Sequence, residues 1–305
     1  MASMDLLARP RVGVNLTSIG VSSAWWLDAA SRLEEAGFDD IWCWDHFISR
    51  GLETDPVLEC FTTLTAAAAR TSRIRVGSFV ANVMNRHPSL LACMVATLQE
   101  QSAGRVVLGI GIGGHPREHL ALGLPFPPAR ERVARLREAV EVLRLLWTGG
   151  PVSFDGRHYG LRDAVAHPVP LPPPPIVVGG ETPAGARLAG WIGDGWTAFD
   201  TTFSRDLPAC LEALARSGRE RGDLEIQVAV RLTRDGAPQT QPALADLAAE
   251  VDRWREAGAD GLIVADVRPH QLPALLAAAE RAGLAARNGR ETLDPLLDRA
   301  LSGDR

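Results

Sequence analysis

Lysine is absent: all 32 basic residues of this 305-residue chain are arginine. Set against 37 aspartates and glutamates they leave a formal net charge of −5, so the positive surplus that neutralises a nucleic-acid backbone is missing. With abundant alanine, glycine and proline, the arginine-only usage reads as the habit of a GC-rich genome and marks no site. Long apolar runs are lacking too. No stretch approaches the roughly 20 apolar residues needed to span a bilayer, and Met1 to Arg11 holds no secretory-type apolar segment. The expectation is a cytoplasmic protein with neither nucleic-acid nor membrane partners. Cysteine is sparse: Cys43, Cys60, Cys93 and Cys210 lie in apolar surroundings without C-x-x-C spacing, which argues against a disulfide framework or zinc knuckle and reads as buried small hydrophobes.

What the chain does have is 46% hydrophobic residues, enough for a large core, arranged as alternating strands and helices. Val12–Thr17 reads as a strand and Ser23–Ala36 as a helix with Trp26, Ala29, Ala30 and Leu33 on one face, stopped by Gly37. Asp40–Asp45 is a second strand. Asp55 and Pro56 read as cap and first turn of a helix running to about Arg70. Strand Arg73–Ala81, helix Pro88–Ser102, strand Arg105–Ile112 and helix Arg130–Trp147 follow, the last with apolar stripe Val133, Leu136, Val140, Leu143 and Trp147. Residues 150–174 interrupt the beat with a hairpin-like Phe154-Asp155-Gly156 and a proline run. Alternation then resumes with strand Ile176–Val178, helix Ala184–Ile192, strand Gly195–Phe199, helix Ser204–Arg221, strand Glu225–Leu232, helix Pro242–Ala257, strand Gly261–Ala265 and helix Leu272–Ala282. Eight strand-then-helix units predict one (β/α)8 TIM barrel over residues 1–305, with an insertion at about 150–174 and a polar tail at about 288–305; such barrels take about 250 residues plus insertions, and the alternative, a doubly wound two-domain chain, needs an extra linker.

Gly109, Gly111 and Gly114 spell G-x-G-x-x-G, the dinucleotide-binding pattern. They follow the fourth strand rather than the first, residues 129–148 read as an amphipathic helix where an acidic strand end is required, and His115-Pro116 interrupts the expected helix start, so that reading fails. Two uses remain open: bare backbone at the barrel mouth on which a planar ring can lie, or a tight strand-to-loop transition. Gly179, Gly180, Glu181 and Thr182 join a strand end to a helix start with Pro183 in its first turn, where backbone N–H groups and the helix dipole suit a phosphate; a plain strand-to-helix turn is the alternative. His46 beside Asp45, at the C-terminal end of a strand, is the best proton-handling candidate, or else a loop-capping pair. Trp42 and Trp44 read as core. His115 and His119 have H-x3-H spacing, but Pro116 and the lack of a third ligand argue against a metal. Arg86 opens a helix, to meet an anion or to pair on the surface. His158 and Tyr159, in the insertion, either form a lid or pack. Paired acids suited to glycoside cleavage are not evident.

Together, GFDDIWCWDHF (37–47), IRVGSFVANVMNRHP (74–88), VLGIGIGGHPREH (107–119), LRLLWTGGPVSFDGRHYGL (143–161), PPPIVVGGETP (173–183) and GDGW (193–196) resemble the luciferase-like family of flavin- and deazaflavin-dependent oxidoreductases, from about residue 12 to 200. The resemblance implies a (β/α)8 barrel with an insertion, whose cofactor ring lies across the C-terminal mouth and whose phosphate-bearing tail reaches the loop after the fifth strand. It places Asp45 and His46 beside the ring's reactive centre and a cis peptide between Phe79 and Val80 against the ring, with Asn82 able to hydrogen-bond the ring edge. Ile112, Gly113 and Phe199, together with Gly179 to Thr182, complete the expected cofactor-facing set. One departure stands out. Where the deazaflavin-dependent sugar-phosphate dehydrogenases of the family carry a glutamate and a tryptophan, this chain has Gly114 and Arg50, which puts a sugar-phosphate substrate in doubt. The implied activity is F420-dependent hydride transfer to or from a small organic substrate. The alternatives are an FMN-dependent monooxygenase supplied by a separate F420 or flavin reductase, or a non-catalytic binding protein for either cofactor. Self-association into a homo-oligomer is likewise implied.

Overall fold

The computed structural model describes residues 9–49, 51–52 and 54–285; Arg50 and the polar tail at 288–305 lie outside them. Strand β1 (Arg11–Leu16) buries Val12, Val14 and Leu16, as a parallel strand covered on both faces requires, and the one polar side chain it buries, Asn15, donates to the Trp42 carbonyl and accepts the Asp266 N–H. Helix α1 (Ser23–Glu35) starts where the Ser22 hydroxyl accepts the Trp25 N–H and buries Trp26, Ala29, Ala30 and Leu33. After β2 (Asp40–Cys43), α2 (Cys60–Ala68) begins later than Asp55-Pro56 implies. The Glu59 carboxylate caps it through the Thr62 N–H, while Val57 forms an antiparallel bridge to Ile19 and holds the preceding residues extended.

The predicted third strand is two: β3 (Arg75–Ser78) and β4 (Ala81–Asn82) are separated by a cis peptide between Phe79 and Val80, and both pair with β5 (Val106–Gly111). Between them runs α3 (Pro88–Gln101). A short helix, α4 (Pro116–Ala121), follows β5 where interruption is expected. Pro116 opens it, because the first-turn N–H that proline lacks has no helical partner anyway. Helix α5 (Ala129–Leu146) comes next, and the insertion is the antiparallel hairpin β6 (Val152–Asp155) and β7 (Gly160–Ala164). The hairpin packs: Tyr159 is buried edge-on to His87, and Glu138 of α5 accepts the N–H groups of His158 and Tyr159.

Strand β8 (Ile176–Gly179), α6 (Pro183–Ile192) and β9 (Gly195–Phe199) lead directly into α7 (Asp200–Arg216), which starts earlier and stops earlier than expected. After β10 (Glu225–Arg231) the single helix expected over 242–257 is α8 (Pro242–Ala245) and α9 (Leu247–Glu256), broken at Asp246, whose carboxylate caps Ala249. Strand β11 (Gly261–Val267) and α10 (Leu272–Arg281) complete the described chain.

Eight parallel strands run in the order β3-β2-β1-β11-β10-β9-β8-β5, and the β3–β5 pairing closes the (β/α)8 barrel. One core fills the layer between strands and helices; a second, of Trp42, Phe79, Val107, Val177, Ala229 and Ile263 among others, fills the barrel lumen. Cys43, Cys60 and Cys210 are buried thiols as expected, whereas Cys93 is exposed. Among the described residues no helix is long and apolar enough to cross a membrane.

Candidate active site

Parallel strands present all their C-terminal ends at one mouth, and there a cleft of about 510 Å³ opens between the ends of β1, β2, β10 and β11. Thr17, Trp44, His46, Arg231, Asp266 and Arg268 are among its walls. Trp44 is therefore a lining residue, half-buried and stacked on Phe199 with ring centroids 6.4 Å apart, while Trp42 is core. The Arg231 guanidinium covers the Phe199 ring at 4.0 Å. Of the residues expected to face the cofactor, His46 alone belongs to this lining.

His46 is held from behind by a residue that the motif reading passed over. Glu118, 1% exposed on α4, accepts from or donates to His46 Nδ1 at 3.0 Å according to the proton's place, and its other oxygen accepts the Phe47 and Ile48 N–H groups. Burial alone would raise the Glu118 pKa, but the His46 bond and these two amides outweigh it and hold the carboxyl below its ordinary value of 4.5. With Glu118 ionised, Nδ1 carries the proton facing it and Nε2 is the ring nitrogen left for chemistry. The sequence signal was present in Pro116-Arg117-Glu118: proline then glutamate is a helix-start pattern, and six residues at helical spacing turn Glu118 and His119 to the same buried side.

Asp45 points the other way. Its enclosed carboxylate takes a bidentate pair from Arg86 at 2.8 and 2.9 Å, the Asn82 N–H at 2.9 Å and the Asn85 amide at 3.1 Å. Asp45 thus organises the turn that carries His46, and the adjacent side chains diverge because Arg86, Asn82 and Asn85 hold Asp45 while Glu118 holds His46. Arg86, expected on the surface or against an anion, is buried between Asp45 and Glu59. The Asn82 amide is already engaged on both sides: its Oδ1 accepts the Met84 N–H at 3.0 Å and its Nδ2 meets His119 Nε2 at 2.8 Å. Since Nδ2 donates, His119 Nε2 accepts and the imidazole is neutral. Burial pushes the His119 pKa down from 6.5, more than the neighbouring Glu118 charge raises it.

The glycine run has a use that neither reading foresaw. A Cβ on Gly109 would lie 2.0 Å from the Ser78 carbonyl oxygen, and one on Gly111 or Gly179 would lie 2.8 or 2.9 Å from a Val80 methyl. The three glycines seat the Phe79–Val80 bend of the neighbouring strand. Ile112 and Gly113 then turn outward with Gly113 at φ +74°, where a Cβ would strike the Asn82 amide, while Gly114 stands in open space. At β8, the Gly180 N–H is taken by the Thr197 carbonyl at 3.1 Å, so Gly180 supplies clearance instead of a donor. Thr182 caps α6 through Gly185, and residues Glu181 to Ala184 are exposed, leaving the helix start accessible to an anion. The buried Thr197 Oγ beneath this turn has no partner. A flat ring with an anionic tail fits these features: a shelf of Val80 and glycine backbone, and a helix N-terminus beyond it.

The luciferase-like monooxygenase family matches residues 4–259. The chain belongs to that family. Among curated relatives, this luciferase-like protein is 36% identical over 217 residues to an F420-dependent glucose-6-phosphate dehydrogenase of Kineococcus radiotolerans, covering 69% of this chain and 64% of that one. It therefore spans slightly less than two thirds of that relative's length. Its fold superposes with a TM-score of 0.81 on an F420-dependent secondary alcohol dehydrogenase solved with an F420–acetone adduct, at 21% identity over 91% of this chain and 99% of that one. An EDTA monooxygenase from Chelativorans sp. BNC1 shares the fold at TM-score 0.74 and 15% identity, covering 96% of this chain and 98% of that one.

Proposed function

We propose that this luciferase-like protein is an F420-dependent oxidoreductase acting on a small organic substrate, with His46 exchanging the substrate's proton. The observation that carries the reading is the His46–Glu118 pair at the mouth: a buried carboxylate engages Nδ1 of a histidine that lines the cleft, leaving Nε2 for substrate. The similarity to F420-dependent dehydrogenases supports the choice of cofactor. When bound, the deazaflavin supplies two-electron hydride chemistry. The protein's part is to hold the substrate oxygen or nitrogen within reach of His46 Nε2, which takes its proton in oxidation and returns one in reduction. Val80, Ile112 and Gly113 would support the ring, and the α6 start, with Glu181 and Thr182, would receive the tail phosphate. Asp45 and Arg86 act behind His46 by fixing its turn.

Glu118 weighs against the non-catalytic alternative, because it restores a carboxylate at the histidine that Gly114 does not supply. The missing side chain at Gly114 also separates the chain from sugar-phosphate oxidation. The test is a fluorescence titration with F420 and with FMN, followed by turnover with secondary alcohols, enones, imines and glucose 6-phosphate. F420 binding with turnover of an alcohol, enone or imine and silence on the sugar phosphate is expected. Exclusive FMN binding with oxygen consumption would replace this reading by the monooxygenase one.

A further inference from the structure

A second cleft, of about 700 Å³, lies on the far side of the segment joining β2 to α2. Phe47, Ile48, Ser49 and Val57 line it from the segment after β2, and His115, Arg117 and Ala121 line it from α4 and the residue before it. Gly51 and Asp55 line both this cleft and the mouth cleft. The His115 ring stands edge-on to His46 with centroids 5.9 Å apart, so the second space begins where the first reaches the reactive imidazole.

Phe47, Ile48, Val57 and Ala121 give it an apolar share of lining beside Ser49, Asp55 and Arg117. Exposed leucines adjoin that lining in sequence: Leu52, next to Gly51, is 69% exposed, and Leu120 and Leu122, on either side of Ala121, are 75% and 47% exposed. The geometry of α4 accounts for two of them: turning Glu118 and His119 inward leaves Leu120 and its neighbours facing out. Single exposed leucines are ordinary. Exposed leucines next to the apolar lining of a concavity that lies beside His46 favour a ligand surface. The acid of the shared wall does not change this, because Asp55 accepts the Ser49 hydroxyl and the Leu52 N–H, each at 3.3 Å, within its own loop.

We infer that the second cleft binds an apolar arm of the substrate, so that the reacting carbon lies at His46 and a hydrocarbon or aromatic extension runs past His115 toward Ala121 and Leu120. The inference rests on the proposed oxidoreductase reading for the identity of the reacting end, but not for the arm. It makes the substrate an elongated apolar ketone, alcohol or imine.

The test uses isothermal titration calorimetry of the 2-alkanone series from acetone to 2-decanone, on the protein with and without F420, together with turnover by reduced F420. Affinity should rise about threefold to fourfold per added methylene over several carbons, the increment expected for burying one methylene, and then level off. Ala121→Trp, which fills the cleft from an exposed helix position, and Leu120→Asp, next to that lining residue, should flatten that rise while leaving F420 affinity within about twofold. No binding across the series, a flat series, or a slope unchanged in both variants would overturn the inference. A chain-length slope without F420 binding would leave the arm site standing and sink the cofactor reading; F420 binding with a flat series would do the reverse.

Discussion

With Nδ1 hydrogen-bonded to a buried carboxylate, His46 has a single ring nitrogen left for proton exchange. Glu118→Gln keeps the shape but removes the charge and sets an amide against the Phe47 and Ile48 N–H groups. Turnover should fall about 10- to 100-fold, with F420 affinity little changed, and the acid limb of the pH–rate profile should move; equal kcat and an unmoved profile would reduce Glu118 to a loop cap. Because its pKa is depressed in the folded state, Glu118 contributes stability above its ordinary value of 4.5, and that contribution is lost as pH falls through the lower folded value. His119 has the opposite chemistry with the same slope. It is held neutral by accepting the Asn82 amide, so the unfolded chain binds its proton more readily, and stability should decline as pH falls from 6.5 toward the folded value. His119→Gln, which retains an acceptor for Asn82, should shrink that decline in urea midpoints compared at about pH 7.5 and 5.5; an unchanged decline would locate it elsewhere. Sequence spacing brings His46 to the mouth, since it follows the C-terminal end of β2 by three residues. It does not show which way Asp45 points, because that is decided by Arg86 and Asn82 from a different strand end.

Among the elements, the seam of β3, β5 and β8 is built by omission of side chains. Val80 occupies the room that Gly111 and Gly179 leave, so Gly111→Ala should destabilise by about 1–3 kcal/mol through overpacking. Val80→Ala in the same chain should recover much of that loss, since the Gly111 clash is with a valine methyl at 2.8 Å. Additive losses in denaturant midpoints would mean that the glycine answers to something other than Val80. Elements with a sustained period were legible: α1, α3, α5 and α10 lie within a residue or so of their expected bounds. Short or overridden elements were not. Six residues of α4 are too few to show a helical period on their own, so only the Pro116–Glu118 start pattern points to Glu118. Asp55-Pro56 spells a helix cap, but pairing of Val57 with Ile19 keeps the chain extended there. The expected helix over 242–257 is apolar on a helical period throughout, and only the extended backbone of Asp246, φ −146°, divides it.

Across the whole molecule, stability and chemistry sit at opposite ends of the barrel. The N-terminal end is closed by Arg75, which bonds both oxygens of Asp40 and reaches Glu225 at 3.0 Å, with Gln227 donating to Asp40 at 3.3 Å. The mouth holds His46, Arg231 and the two clefts, a barrel's length away along the strands. Removing one partner of a buried ion pair leaves an uncompensated charge, and Arg75→Met should therefore cost about 3–5 kcal/mol. F420 affinity of the folded variant should stay within about twofold, since nothing at the mouth touches Arg75. The loss carries its own pH signature. Burial alone would raise the Asp40 pKa, but the Arg75 charge and hydrogen bonds hold it below 3.8, so in the native protein it adds stability at neutral pH that disappears as acid protonates it. Without Arg75 burial prevails, the carboxyl is raised, and the variant gains stability relative to the native chain as pH falls and Asp40 takes up a proton. The gap in urea midpoints should be widest near neutrality and narrow toward about pH 4. A gap independent of pH would show that Arg75 stabilises by packing alone, and a lost cofactor affinity in the folded variant would show that the two ends of the barrel are coupled.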